Sequence, residues 1–177
     1  MNKLFHDTQR KILVREKLSR EVKRRQQAGE RAVFTNGCFD LLHLGHVRYL
    51  QQARAQGDFL ILGLNDDAGV RALKGAGRPL VPEHERAEIL AALSCIDYIT
   101  IFSEPTAAPL VQLLQPAVYV KGGDYANADN DRPDTGRLPE AKVVQAYGGT
   151  VRLIPYLPRH STTELIAAIK QLPEQSS

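Results

Sequence analysis

The sequence predicts an α/β domain built on a Rossmann-like, doubly wound, five-stranded parallel sheet. Three observations predict it. Apolar runs of strand length alternate with helical patterns five times along the chain. One of them, FLILGLN (59–65), is almost continuously apolar, as a strand buried on both faces requires. The glycine-rich and charged residues follow the strands rather than precede them, and so gather at one edge of the sheet, where such folds bind ligands.

The elements follow in order. Val14, Leu18 and Val22 recur at i, i+4 and i+8 among charged residues, which predicts an amphipathic helix over about 11–28, closed by Gly29. AVFT (32–35) reads as the first strand and precedes a helix over about 45–56, stopped by Gly57. The second strand, 59–65, leads to a Gly/Lys/Arg/Pro-rich loop over 74–82 and the helix 83–93, with Ala87, Leu90 and Leu93 facing the core. YITIF (98–102) precedes a helix around 107–114, and AVYVKG (117–122) follows it. A polar loop (123–139) precedes a helix with Val143, Val144 and Tyr147 on one side. TVRLIPY (150–156) is the fifth strand, and Leu165, Ile166, Ile169 and Leu172 mark a last helix over about 162–172. One domain is expected over 30–172, with residues 1–29 as a helical lead packed on it and 173–177 as a tail.

Composition bounds the function. With 43% hydrophobic and 24% charged residues, the 177-residue chain has the profile of an ordinary soluble domain. No apolar run approaches the ~20 residues that span a bilayer, and the charged N-terminus lacks a signal core. Cys38 and Cys95 make neither a disulfide framework nor a zinc pattern. A cytoplasmic protein without membrane partners is expected. A net charge of +3 and the absence of Trp argue against nucleic acid, and the basic run KRRQQAGER (23–31) reads as a solvated helix face.

The strand ends present Asn36-Gly37-Cys38, Asn65-Asp66-Asp67, Ser103-Glu104, Lys121-Gly122-Gly123-Asp124 and the segment 157–163. Neither a dinucleotide fingerprint nor a P-loop follows the first strand. In their place stands His43-Leu44-Gly45-His46 at a helix start. Gly45 leaves room for a ligand at the backbone, and the free N–H groups and dipole of the helix favour an anion. His43 and His46 can project toward one point and hold phosphate oxygens, protonated or as neutral donors. Two alternatives stay open on local grounds: a turn with a buried histidine, or an incomplete metal site, since zinc takes three or four protein ligands. HSTTELI (160–166) reads as a capped helix start, with Ser161 or Thr162 capping and Glu164 placed for a capping box. Lys74 lies in LKGAGRP, a loop whose two glycines give it freedom to close, and Arg78 precedes Pro79 nearby. Arg86 suits a surface salt bridge with Glu83 or Glu85, and Asp40 a helix cap or loop buttress.

NGCFDLLHLGHVRYL resembles the G-x-F-D-x-x-H-x-G-H signature of the nucleotidyltransferase superfamily that includes cytidylyltransferases, pantetheine-phosphate adenylyltransferase and class I aminoacyl-tRNA synthetases. LKGAGRPLVPEHERAEILAAL, VKGGDY and EAKVVQAYGGTVRLIPYLPRHSTTELI extend the likeness to the adenylyltransferase domain of bacterial ADP-heptose synthesis, over roughly 30–170. The resemblance implies transfer of AMP from ATP to D-glycero-β-D-manno-heptose 1-phosphate, with Mg²⁺, release of pyrophosphate and a homodimer. It suggests a stand-alone form whose sugar phosphate comes from a separate kinase. The alternative is a relative using CTP or another acceptor, such as glycerol 3-phosphate.

The resemblance implies catalytic roles for His43, His46 and Lys74. It implies nucleotide contacts from Thr35, Asn36, Gly37, Cys38, Phe39, Gly45, Lys121, Gly122, Asp124, Ser161, Thr162 and Thr163. Substrate contacts fall to Asp40, Asn65, Arg78 and Arg86, and no metal ligand comes from the protein. Two departures stand out: Arg159 lies only two residues before Ser161, where cytidylyltransferases place an arginine five before, and the loop 126–138 is long.

Overall fold

The computed structural model describes residues 8–122, 138–155, 157 and 160–172. Asp124, Arg159 and the loop expected over 126–138, apart from Leu138, lie outside them. Five strands form one sheet in the order β3-β2-β1-β4-β5: β1 Ala32–Gly37, β2 Phe59–Asn65, β3 Tyr98–Phe102, β4 Val118–Gly122 and β5 Thr150–Ile154. Every pairing is parallel. Among the described residues seven α-helices accompany it: α1 Arg15–Gln27, α2 Leu44–Arg54, α3 Asp67–Lys74, α4 Glu83–Ala91, α5 Ala108–Leu114, α6 Pro139–Ala146 and α7 Thr162–Lys170. The predicted fold class is the one observed.

Alternation along the strands divides the core in two. Phe34, Phe59, Ile61 and Tyr119 face α1, α5 and α6, meeting Leu18, Val22, Leu110, Val111 and Val144. Val33, Leu60, Leu62, Leu64, Val118 and Val120 face Leu50 of α2 and Ala87, Leu90 and Ala91 of α4. Every residue of β2 is buried, as its unbroken apolar run requires.

Three elements differ from the sequence expectation. The first helix begins at Arg15, because Thr8–Lys11 form a short 3-10 turn and Ile12 makes a parallel bridge to Ile99. Val14 therefore caps α1 and is exposed, and only Leu18 and Val22 reach the core. α3 lies where no helix is expected, so Lys74 is the last residue of a helix rather than part of a loop. Finally, α7 forms with its capping box but buries none of its residues, and Ile169 and Leu172 lie at the surface.

The sheet also prepares a crevice. β1 pairs with β2 along its whole length, up to Gly37↔Leu64. Its pairing with β4 is Val33↔Val118 and Phe34↔Tyr119. Beyond Phe34 the neighbouring strands part at the point where strand order reverses, which is where ligands enter such sheets.

Candidate active site

The parted strands are bridged by side chains. Asn36 accepts hydrogen bonds at Oδ1 from the Tyr119 hydroxyl (2.7 Å) and from Lys121 Nζ (3.1 Å), and Lys121 Nζ also donates to the Asn36 carbonyl (3.0 Å). An ammonium has no acceptor capacity, so the atom beside Lys121 is the amide oxygen and the Asn36 NH₂ remains a donor. Thr35 is fully buried, and its hydroxyl lies 2.6 Å from that of Tyr49, which donates to the Val120 carbonyl (3.1 Å). Its side chain ties β1 to α2 and β4 and is enclosed, contrary to the expected nucleotide contact.

Past Gly37 the chain turns sharply. Phe39 takes φ 44°, a left-handed conformation costly for a bulky residue, and lays its ring over Gly37, where a Cβ would meet it at 2.9 Å. The same ring packs 5.2 Å from that of His46. His43 is the N-cap of α2 and makes no side-chain capping bond, so the helix start keeps N–H groups for a ligand. The His43 and His46 rings stack with centroids 3.8 Å apart. Both Nδ1 atoms are buried without a hydrogen-bond partner among the described residues. Such orphans call for a ligand or water. Burial, and then the neighbouring His43, push His46 down to about 4. Burial and His160 lower His43 as well. Burial thus favours the uncharged form of the His46 ring.

Gly45 serves a purpose not foreseen. A Cβ there would come 2.8 Å from the carbonyl oxygen of His160 and 3.0 Å from the His43 ring. What approaches its backbone is the segment leading into α7. This contact brings Ser161, Thr162 and Thr163 to the histidine turn. Ser161 caps α7 by accepting from the Glu164 N–H (3.2 Å), while Glu164 accepts from the Ser161 N–H (2.9 Å).

Asp40 is buried and accepts from the N–H groups of Leu80 (2.8 Å) and Val81 (3.0 Å) and from Arg78 Nε. It buttresses the loop before α4, and the Arg78 charge is paired with it. Arg86 departs furthest from expectation. It is enclosed rather than bridged to Glu83 or Glu85 at the surface. Its Nε donates to Val81 O (2.9 Å), Nη1 to Cys38 O (2.6 Å) and Asn65 O (3.0 Å), and Nη2 to Asp67 Oδ1 (2.7 Å). Asn65 is buried and Gly122 ends β4, while Lys74 is exposed. Burial raises the half-buried Cys38 thiol, against the opposing charges of Lys74, Arg86 and Lys121. Arg86 of α4 and Lys121 of β4 thus meet the end of β1, at the Cys38 and Asn36 carbonyls.

Among the described residues no group of three His, Cys, Asp or Glu could hold a metal ion, and no helix is long and apolar enough to cross a membrane. Sequence reasoning missed Tyr49 and Tyr119 as builders of the site, and placed Asp67 and His160 at the strand-end edge without giving them a role. Only Arg86 carried a usable signal: it falls four residues before Leu90 on the inner face of α4, where a surface residue does not belong.

Residues 34–168 match the family described as cytidylyltransferase-like. The chain is 51% identical over 164 residues to the bifunctional protein HldE of Geotalea uraniireducens, covering 93% of this chain and 32% of that protein. It is 53% identical over 141 residues to the HldE of Geobacter sulfurreducens, covering 80% and 27%. The chain thus spans about a third of the length of the curated relatives it matches. Among solved structures, the lipopolysaccharide core biosynthesis protein of Thermoplasma volcanium superposes with a TM-score of 0.56 at 24% identity, covering 72% of this chain and 97% of that one. The pantoate-beta-alanine ligase of Francisella tularensis does so with a TM-score of 0.57 at 14% identity, covering 93% and 79%. These two show the shared fold.

Proposed function

The chain belongs to the cytidylyltransferase-like family, and from that premise we propose that it transfers AMP from ATP to D-glycero-β-D-manno-heptose 1-phosphate, releasing pyrophosphate and forming ADP-heptose. The observation that carries the reading is the stacked His43–His46 pair, with two unpartnered ring nitrogens, at an uncapped helix start. The identity of about 50% to bifunctional HldE proteins supports the acceptor. The sequence likeness of VKGGDY and LPRHSTTELI supports it as well.

In this reading an oxygen of the sugar phosphate attacks the α-phosphorus of ATP in line. The new P–O bond forms as the bond to the β-phosphate oxygen breaks, and pyrophosphate leaves with that electron pair. The attacking oxygen is already anionic, so no general base is required, and catalysis is positioning and charge stabilisation. His43 and His46 hydrogen-bond the crowded α-phosphate, and Lys74 adds a positive charge from the end of α3. The free N–H groups at the start of α2 and the hydroxyls of Thr162 and Thr163 hold the departing phosphates, with Ser161 capping the helix that carries them. Asn36, Gly37, Cys38, Phe39, Lys121 and Gly122 take the nucleotide side, and the sequence likeness adds Asp124 to them. Asn65 and Arg78 border the acceptor with Asp40 behind them, while Thr35 and Arg86 act from within the scaffold. Mg²⁺ fits as an ion carried on the nucleotide phosphates, since it keeps waters and phosphate ligands and needs no all-protein cage; bound there, it neutralises the leaving pyrophosphate. A homodimer in a cytoplasmic setting belongs to the same reading.

A pyrophosphate-release assay with ATP and CTP against heptose 1-phosphates and glycerol 3-phosphate tests it. Turnover with ATP and the β-heptose phosphate is expected. Preference for CTP, or turnover only with glycerol 3-phosphate, replaces this reading with the alternative.

A further inference from the structure

We propose that Arg86 is a positioning residue that fixes the lysine-bearing helix α3 against the histidine turn, and so acts on the reaction through Lys74. The inference rests on the adenylyl-transfer reading above. Arg86 has no exposed side-chain surface, so it touches no ligand directly. Its guanidinium instead holds four acceptors in three chain segments. They are the carbonyl just past β1 (Cys38), the last carbonyl of β2 (Asn65), the carbonyl of Val81 before α4, and the carboxylate of Asp67, the first residue of α3.

Each of those segments leads to a group the reaction needs. The Cys38 carbonyl belongs to the turn that delivers His43 and His46. Asp67 opens the eight-residue helix that ends in Lys74. Val81 is the residue whose N–H is held by Asp40 (3.0 Å), beside the Arg78 contact to the same carboxylate. The start of α3 is fixed twice more: Asp66 caps it through the Gly69 N–H (2.6 Å), and Glu83 of α4 accepts from the Asp67 N–H (2.7 Å). α3 is therefore referenced to α4 and β1 at its first turn. A small rotation there is carried along the helix to its last residue. Lys74, exposed at the far end of α3, is the charge this lever moves, and that charge opposes the rise of the Cys38 thiol.

A planar guanidinium can meet four acceptors arranged around it, whereas an ammonium is a point donor that cannot reproduce the fork. Arg86→Lys keeps the charge and disturbs the geometry. A double-mutant cycle with Lys74→Ala reads the coupling, using steady-state kinetics on protein shown to be folded by circular dichroism. Arg86→Lys alone is expected to lower kcat about tenfold to a hundredfold, the scale of a displacement near 1 Å, with KM for both substrates held within about threefold. In the Lys74→Ala background the same substitution should cost less than about threefold, because contacting networks are non-additive. An unchanged kcat, or an equal loss in both backgrounds, overturns the proposal; a purely structural role gives the second result. If Arg86→Lys does not fold, Asp67→Asn enters the same cycle with the same two outcomes.

If the unmodified protein transfers no AMP to any sugar 1-phosphate, the adenylyl-transfer reading fails by itself. The cycle is then read in ATP binding by calorimetry. Coupling between positions 86 and 74 supports the positioning role there, and additivity overturns it.

Discussion

The two walls of the crevice are built on opposite principles. On the β2 side, Asp40, Asp66, Glu83 and Arg86 spend their charges on backbone groups, Asp40 also on Arg78 and Arg86 also on Asp67, and Arg86 is wholly enclosed. On the β5 side, α7 buries none of its residues and stands on a capping box and a close approach to Gly45. A charge near a site is thus available to a ligand only where the scaffold has not already used it. Lys74 and the hydroxyls of Thr162 and Thr163 remain available; Arg86, Asp40 and the Ser161 hydroxyl, which donates to Glu164 Oε2 (2.8 Å), do not.

The sharpest way to break this contrast is Arg86→Ala. It strands the Asp67 carboxylate and three carbonyls, and should cost about 3–5 kcal/mol of stability in urea unfolding. A loss below about 1 kcal/mol, the range of exposed pairs, would mean that the firm wall is not firm. His46→Ala comes next: kcat should fall about 10²–10³, as when an oxyanion-hole donor is lost. Wild-type turnover in that variant would remove His46 from the chemistry.

The third test is pH. His46 has a folded value near 4 against an ordinary 6.5, so folding favours its neutral form. The stability this contributes is complete above about 6.5 and is lost as pH falls toward 4. The urea midpoint of the unmodified protein should fall across that window, and that of His46→Gln should fall less. Equal slopes would show that His46 is not held neutral. The smallest effect is expected from Ser161→Ala, about 1 kcal/mol confined to α7. Because that helix adds nothing to the core, the global unfolding midpoint should stay in place while KM for ATP rises. A matching fall in the global midpoint would show that α7 is part of the cooperative unit after all.

The sheet was legible in the sequence because its signal is local. An unbroken apolar run such as 59–65 is hard to read as anything but a buried strand, and the alternating pattern fixes the class. The histidine turn and the Ser161–Glu164 box were legible for the same reason, each being carried within four residues. α3 was not read, although Asp66 supplies an N-cap, because eight residues barely exceed two turns and the lysine and glycines beyond them suggest a loop. The Thr35–Tyr49–Val120 tie and the fourfold grip of Arg86 depend on chain segments far apart in sequence, and no spacing rule reports them. Val14 shows the converse failure: correct periodicity, but one position outside the helix that periodicity described.

The contact between Gly45 and His160 also bears on time. Elements that bury nothing detach at a small fraction of the free energy needed to dissolve a core. α7 can therefore part from α2 while β1 and the histidine turn stay folded, and amide exchange in 162–170 should be fast compared with that in 59–65. In the proposed reaction, substrate entry and pyrophosphate exit use this local event, with the methyl-free Gly45 as the seat to which the helix start returns.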